Sequence, residues 1–342
     1  MRAWLESEWQ RLGGGALVFL PLALAYRLVT TLRRALYRAG VLRAWRAPVP
    51  VIVVGNITAG GTGKTPLVVA IVEILSAQGR NPGVVSRGYG RVPPADGDPR
   101  GVVRVLPGQA TPEHFGDEPV LIARRTGVPV YLSPDRPAAV RALLAAHPEV
   151  DVIVSDDGLQ HYALARDVEI AVVDGERLFG NGLPLPSGPL REPVARLASV
   201  DAAVVNGGSS DRVGAPRQFP MALGRECFVS LSGEEADPAA FALAARGRRV
   251  VAVAGIGNPS RFFSHLERLG VFADKRAFPD HHLYQPGDLR LPHADLVVMT
   301  EKDAVKCVAF ADSRMWFLRV EAMLPPEFDA FLRDRTARPA PR

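Results

Sequence analysis

Cysteine is nearly absent from this chain: its 342 residues hold two, Cys227 and Cys307, far apart in sequence. That scarcity excludes a disulfide framework and fits a reducing, cytosolic compartment. Long hydrophobic runs are missing too. The uncharged stretch Gly13 to Tyr26 is 14 residues, short of the roughly 20 that a helix needs to cross a bilayer. Clusters of His and Cys with ligand spacing are lacking. Asp280-His281-His282 stands alone, so no protein-bound transition metal is expected. Neither an internal repeat nor a long low-complexity tract interrupts the chain. Acidic residues are scarce at the start, where residues 1–46 carry eight arginines (Arg2, Arg11, Arg27, Arg33, Arg34, Arg38, Arg43, Arg46) against Glu6 and Glu8. That surplus of six leaves −1 of the net +5 for all other residues. A basic folded body is therefore absent, which argues against a nucleic-acid binder. What is present is one basic and apolar arm, with Trp4, Trp9 and Trp45 in or near it. Arginines beside an apolar stretch and boundary aromatics suit a helix lying in a membrane interface, attracted by anionic headgroups. A helix packed on the protein's own core is the plainer alternative.

After Pro48 and Pro50 the pattern changes. Val51 to Val54 reads as a buried strand, followed by a Gly-rich turn and a helix from about Pro66 to Gln78, a β-loop-α unit. Further strands are expected at Val84-Val85, Val128 to Leu132, Val150 to Val154, Glu169 to Val173 and Ala202 to Asn206. Helices are expected at Pro119 to Thr126 and Arg136 to Ala146. Alternation of this kind implies an α/β fold with a parallel sheet covered by helices on both faces. Arg91 to Gly101 and Phe179 to Pro193 are rich in Gly and Pro and read as loops, the second suited to a substrate. A second α/β lobe is expected from about residue 225, with strands at Arg249 to Ile256, Asp295 to Thr300 and Met315 to Val320 and helices from about Ser260 and Ala304. The expected division is thus an arm at 1–46, a nucleotide-binding domain at 47–224 and a smaller lobe at 225–342 that adds to the active site.

Three stretches can carry chemistry. Thr58-Ala59-Gly60-Gly61-Thr62-Gly63-Lys64-Thr65 lies between strand and helix. There glycines let backbone N–H groups face an anion, Lys64 reaches the β/γ-phosphates of ATP, and the Thr65 hydroxyl holds Mg²⁺. It departs from G-x-x-x-x-G-K-S/T only at Thr58. Val150 to Ser155 is a strand that ends in Asp156 and Asp157, a carboxylate pair placed beside the phosphate loop to hold Mg²⁺ directly or through water. Between them, Gly116-Asp117-Glu118-Pro119 puts carboxylates at a helix start. Asp117 is there either a helix cap or the base that takes a proton from an acceptor hydroxyl.

As a set, these motifs resemble the tetraacyldisaccharide 4′-kinases, or lipid A 4′-kinases, of Gram-negative bacteria. The resemblance runs over most of the chain through GNITAGGTGKTP (55–66), SRGYG (86–90), GDEP (116–119), DDGLQH (156–161), LREP (190–193), GIGNP (255–259), FPDHH (278–282) and TEKDAVK (300–306). The family's own phosphate loop has Thr at position 58. The resemblance implies transfer of the ATP γ-phosphate to the 4′-hydroxyl of tetraacyldisaccharide 1-phosphate, giving lipid IVA at the cytoplasmic face of the inner membrane. It implies Asp117 as the base, His281 as its partner, Lys64 and Thr65 as phosphate and Mg²⁺ contacts, and Asp156 and Asp157 as the acidic pair near the metal. Arg136, Arg191 and Glu192 match active-site positions, Glu192 beside the metal. The enzyme is expected to act as a monomer on the membrane surface. Two other readings stay open. An ATPase switch of the partitioning or metallochaperone type is disfavoured, because Ala59 stands where many of these have a signature lysine. A soluble small-molecule kinase would leave the apolar arm without a use.

Overall fold

A strand covered on both faces reads as a continuous apolar run, where a half-exposed one alternates. Val51–Gly55 (β1) has that character and every residue in it is buried. The computed structural model describes residue 9 and residues 13–88, 101–106, 111–208 and 213–337. The end of the SRGYG stretch, most of the loop from Arg91, and Arg2, Trp4 and Arg11 of the arm lie outside these residues.

The other strands are Pro82–Ser86 (β2), Val103–Val105 (β3), Val130–Leu132 (β4), Val152–Ser155 (β5), Val168–Asp174 (β6), Ala202–Asn206 (β7) and Gln218–Ser230 (β8). Glu235–Ala236 (β9), Val250–Ala254 (β10), Asp274–Ala277 (β11), Leu296–Thr300 (β12) and Met315–Met323 (β13) follow. All belong to one 13-stranded sheet in the order β11-β10-β12-β13-β8-β7-β6-β1-β5-β2-β4-β3, with β9 beside β8. Its pairings are parallel except β3 with β4 and β8 with both β13 and β9. The described helices are Gly14–Val18 (α1), Leu20–Arg38 (α2), Lys64–Ala77 (α3), Pro112–Phe115 (α4), Asp117–Thr126 (α5), Arg136–Ala146 (α6), Pro238–Ala244 (α7), Pro259–Arg268 (α8), Glu301–Cys307 (α9) and Pro326–Thr336 (α10). In the first half of the chain, α3 and α5 pack on one sheet face and α6 on the other, so apolar cores fill both sides. The second half repeats this with two cores of its own.

Two features join the halves. The long strand β8 pairs with β7 in the first half and along its length with β13 in the second. Arg225 and Glu226 together face the single residue Val320, a bulge at which Arg225 adopts φ 47°, unusual for a residue with a side chain. The division expected at 224/225 falls on this bulge, inside a strand and not in a linker. The expected lobe 225–342 is also not contiguous in space. Helix α10 returns to the first half, where Phe328, Phe331 and Leu332 are buried in the core with Leu67 and Leu75. The Phe219 ring stands 5.2 Å and 5.4 Å from the Phe328 and Phe331 rings.

Near the start, α2 is the opposite case. Ala23 is its one buried residue, while Leu22, Leu28, Val29 and Leu32 are each more than half exposed. Among the described residues no helix is long and apolar enough to cross a membrane.

Candidate active site

Because β1 and β5 are parallel, with Val53 opposite Ser155, the chain leaves both strands at the same sheet edge. That register sets the loop 58–65 beside Asp156 and Asp157. The loop is held from outside itself. Ala59 N–H donates to the Pro189 carbonyl at 2.7 Å, and the side-chain amides of Asn56 and Asn206 donate to the carbonyls of Gly60 and Thr62 at 3.4 and 3.1 Å. The Arg177 guanidinium takes the Gly61 carbonyl. Gly63 is required here: its φ is 92°, and a Cβ would stand 2.4 Å from the Asn206 amide nitrogen. Lys64 opens α3 and puts its Nζ 3.3 Å from Asn56 Oδ1 and 3.6 Å from Asp157 Oδ1.

The two aspartates differ. Burial raises the Asp157 carboxyl, but the charges of Lys64 and Arg191 outweigh it and hold the group at about 2; Arg191 Nη1 reaches both Asp157 oxygens at 3.1 and 3.0 Å. At Asp156 burial prevails: with the nearby Glu118 and Asp157 charges it raises the carboxyl above the usual carboxylate range. Ser86 Oγ donates to Asp156 Oδ2 at 3.0 Å, and Oδ1 is buried with no hydrogen-bond partner among the described residues. Arg136 lies beneath, 1% exposed, donating to the carbonyls of Ser133 and Asp156 at 2.8 and 3.0 Å. It braces the end of β5, and burial lowers it to about 10. Glu192 is placed unlike the metal ligand expected of it. Gln160 donates to its Oε1 at 2.7 Å, Tyr162 donates to its Oε2, and Arg196 Nε stands 3.4 Å away.

The other wall comes from both halves of the chain. Gly116 is the N-cap of α5 and Asp117 its first helical residue, so the cap reading of Asp117 does not hold. The carboxylate, 4% exposed, accepts from Glu118 N–H at 2.9 Å and sits 3.2 and 3.0 Å from His281 Nδ1 through its two oxygens. Lys302 and Lys306 of α9 approach it at 3.7 and 3.8 Å. Burial alone would raise Asp117; the His281 bond and the two lysines hold it at about 2. Lys302 also binds Glu118 at 3.1 Å and nears Asp280 at 4.0 Å, and these charges outweigh burial to raise its own pKa. His281 has φ 62°, a left-handed backbone that turns its ring toward α5 from the loop after β11.

A cavity of about 620 Å³ separates the two walls, lined by residues 59–65, Glu118, Asp157, Arg191, Asp280, His281 and Lys302. Asp117, Asp156, Arg136 and Glu192 are buried behind its surface. Sequence reasoning assigned no part to Asn56, Arg177, Asn206 or Lys302. Asn206 closes β7 at the same sheet edge, and Lys302 lies inside the TEKDAVK stretch; those positions were the available signals. Among the described residues no three His, Cys, Asp or Glu side chains gather as a preformed metal site.

A mixed α/β scaffold dominated by parallel strands, with a glycine-rich loop, a lysine and an Asp–His pair around one cleft, defines an enzyme of the phosphotransferase class. Residues 15–337 match the family of tetraacyldisaccharide-1-P 4′-kinases, and the chain belongs to that family. It is 51% identical over 321 residues to the tetraacyldisaccharide 4′-kinase of Azoarcus sp., covering 92% of this chain and 90% of the relative. Against the one from Bordetella parapertussis the identity is 48%, over 97% and 96% of the two chains. The crystal structure of LpxK from Aquifex aeolicus in complex with ATP superposes with a TM-score of 0.77 at 28% identity, covering 94% of this chain and 99% of that one. The family resemblance read from the motifs is thereby borne out.

Proposed function

We propose that this protein transfers the γ-phosphate of ATP to the 4′-hydroxyl of tetraacyldisaccharide 1-phosphate, forming lipid IVA in lipid A biosynthesis. The names of its relatives support the acceptor, and the ATP complex of the Aquifex aeolicus protein supports the donor. The observation that carries the chemistry is the Asp117–His281 pair on a cavity shared with Lys64. With the carbonyls of Gly60, Gly61 and Thr62 tied to Asn56, Arg177 and Asn206, the loop is set as a phosphate-binding loop of the P-loop type. Its N–H groups and the N-terminus of α3 then receive the β- and γ-phosphates.

A carboxylate only accepts, so His281 Nδ1 carries the proton shared with Asp117, and the ring lone pair is on Nε2, where Asp280 Oδ2 stands 3.7 Å away. His281 faces the cavity and Asp117 stands behind it. The acceptor oxygen bonds to the γ-phosphorus as the bond to the ADP oxygen breaks. The hydroxyl proton passes to Nε2, and Asp117, kept ionised, steadies the imidazolium. This order reverses the one the family resemblance implies, in which Asp117 takes the proton itself.

Thr65, Asp156 and Asp157 would offer an oxygen-only donor set of the kind Mg²⁺ prefers, and Asp156 Oδ1, which has no hydrogen-bond partner among the described residues, is an acceptor suited to a cation. Mg²⁺ held there would supply neutralising charge for the phosphates. Lys64 and Arg191 hold the transferring group from the protein side.

The acceptor lies in a bilayer, and α2 suits the cytoplasmic surface of the inner membrane. Its exposed leucines enter the interface while Arg27, Arg33 and Arg38, exposed on the helix, meet anionic lipid. The direct test is transfer of label from γ-labelled ATP to the disaccharide 1-phosphate. Labelled product is expected with the full chain and is lost in Lys64→Ala. ATP hydrolysis without lipid labelling refutes the reading.

A further inference from the structure

Helix α2 touches the site as well as facing outward. On its inner side the Tyr26 hydroxyl donates to the Arg191 carbonyl at 3.4 Å, and Arg34 donates to Ser199 Oγ at 2.7 Å. The Tyr37 ring lies 5.9 Å from the Tyr162 ring. Tyr162 then donates its hydroxyl to Glu192, whose other oxygen takes Gln160, and Gln160 in turn donates to the Asn56 carbonyl at 3.1 Å, at the start of the phosphate loop. Arg191 and Glu192 both direct their N–H groups to the Ile57 carbonyl, at 2.7 and 3.3 Å. The backbone that carries the Arg191 guanidinium to Asp157 is therefore clamped between Ile57, just past β1, and Tyr26 of α2, with the Tyr162 hydroxyl holding the adjacent Glu192 side chain.

We propose that Tyr26 and Tyr162 are positioning residues that tie α2 to Arg191, so that seating α2 on a membrane surface sets how Arg191 holds Asp157 at the phosphate site. The proposal rests on α2 being a membrane-surface helix. Three observations support it. Glu192 has both oxygens in this network and so acts as a strut. Burial and the neighbouring Glu192 charge push Tyr162 up to about 12, so its hydroxyl remains a donor at any pH where the enzyme works. The outward face of α2 holds Leu22, Leu28, Val29 and Leu32 exposed, while Tyr26, Arg34 and Tyr37 make its inward contacts, so membrane contact and site contact fall on different sides of one helix.

The test uses the full chain, vesicles of phosphatidylethanolamine and phosphatidylglycerol, and three readouts: sedimentation, hydrogen exchange at residues 57–65 and 190–192, and steady-state kinetics. Wild type is expected to sediment and to exchange more slowly at both segments when vesicles are present. The double variant Tyr26→Phe/Tyr162→Phe should sediment equally but lose that slowing. Its kcat should fall roughly tenfold, the scale of a lost hydrogen bond or two, with KM for ATP nearly unchanged. Tyr37→Phe, which keeps the ring, should behave as wild type, and Tyr37→Ala as the double variant. A double variant with wild-type kcat and vesicle-dependent exchange overturns the proposal, as does wild-type protein that sediments without any change in exchange. Wild-type protein that fails to sediment overturns the membrane reading and this proposal with it, a result the sedimentation arm reports separately.

Discussion

The two walls of the cavity are made in different ways. Lys64, Thr65 and the loop before them come from one unbroken β-loop-α stretch, with Asp157 delivered by the adjacent parallel strand. Asp117 and His281 are 164 residues apart in sequence, and they meet only because α5 and α9 pack together across the two halves, joined by Lys302 to Glu118 and Arg125 to Glu301. A wall of the first kind is carried on one local stretch of chain, although Arg177, Pro189 and Asn206 hold its loop from outside. A wall of the second kind depends on the whole fold and is the easier one to disturb from a distance.

The sharpest way to break this contrast is at the assembled wall. If Asp117 and His281 act as one unit, Asp117→Asn and His281→Ala should each lower kcat by about 10²–10⁴, the range of general acid–base catalysis. The double variant should cost scarcely more than the worse single one. Losses that multiply would separate the two residues, and a fully active Asp117→Asn enzyme would remove the proton-transfer role from both. On the local wall, Lys64→Ala should lower the rate about 10²–10³-fold, equivalent to about 2.7–4 kcal/mol for one contact at the developing charge. Circular dichroism should not change, since Lys64 supports no core. A rate above about a tenth of wild type would refute the phosphate contact.

The same contrast explains what could be read from sequence. The run Val51 to Val54 and the motif ending in Lys64-Thr65 are both local, and they gave β1 and α3 to within two residues. Asp156 and Asp157 followed because parallel strands share an edge. Strand β8 was not foreseen: Pro220, Gly224, Arg225 and Glu226 break any apolar period in it, and its pairing with β13 is a tertiary fact. Residues 326–336 fall inside the lobe expected at 225–342, with no helix expected there, yet they form α10, whose Phe328 and Phe331 pack on Phe219 and α3. Asp280-His281-His282 was visible as a motif, but only the family resemblance joined His281 to Asp117, because no local period connects a loop after β11 with the first residue of α5. Glu192 shows the converse: its position was legible, and its partners Tyr162 and Gln160 were not.

The assembled wall should also leave a mark on stability at low pH. Asp117 is held at about 2 against an ordinary 3.8, so its ionised form stabilises the fold above pH 3.8 and that contribution is lost as pH falls toward 2. A shift of this size is worth about 2 kcal/mol. The stability difference between wild type and Asp117→Asn, measured by urea unfolding, should therefore shrink by about that amount between pH 5 and pH 2. A difference independent of pH across that window would show that the carboxylate gains nothing from His281, Lys302 and Lys306.

The smallest expected effect tests whether the α5–α9 packing transmits anything to the chemistry. Arg125 Nη1 reaches the two Glu301 oxygens at 3.2 and 3.1 Å, and both side chains are about 15% exposed, so the pair is screened less than a surface bridge. Burial nevertheless raises the Glu301 carboxyl despite Arg125, which limits the pair's net worth. Arg125→Gln keeps a donor but removes the charge, and it lies away from Asp117 itself. A modest loosening of α9 should follow, moving Lys302 relative to Glu118 and Asp117 and lowering kcat a few-fold, on the order of 1 kcal/mol. The local wall does not include α9, so KM for ATP should stay within about twofold of wild type. An equal loss in ATP affinity would mean that the phosphate loop also depends on the second half of the chain, whose Gly257 lines the same cavity as Gly61, and the two walls would then have to be treated as one.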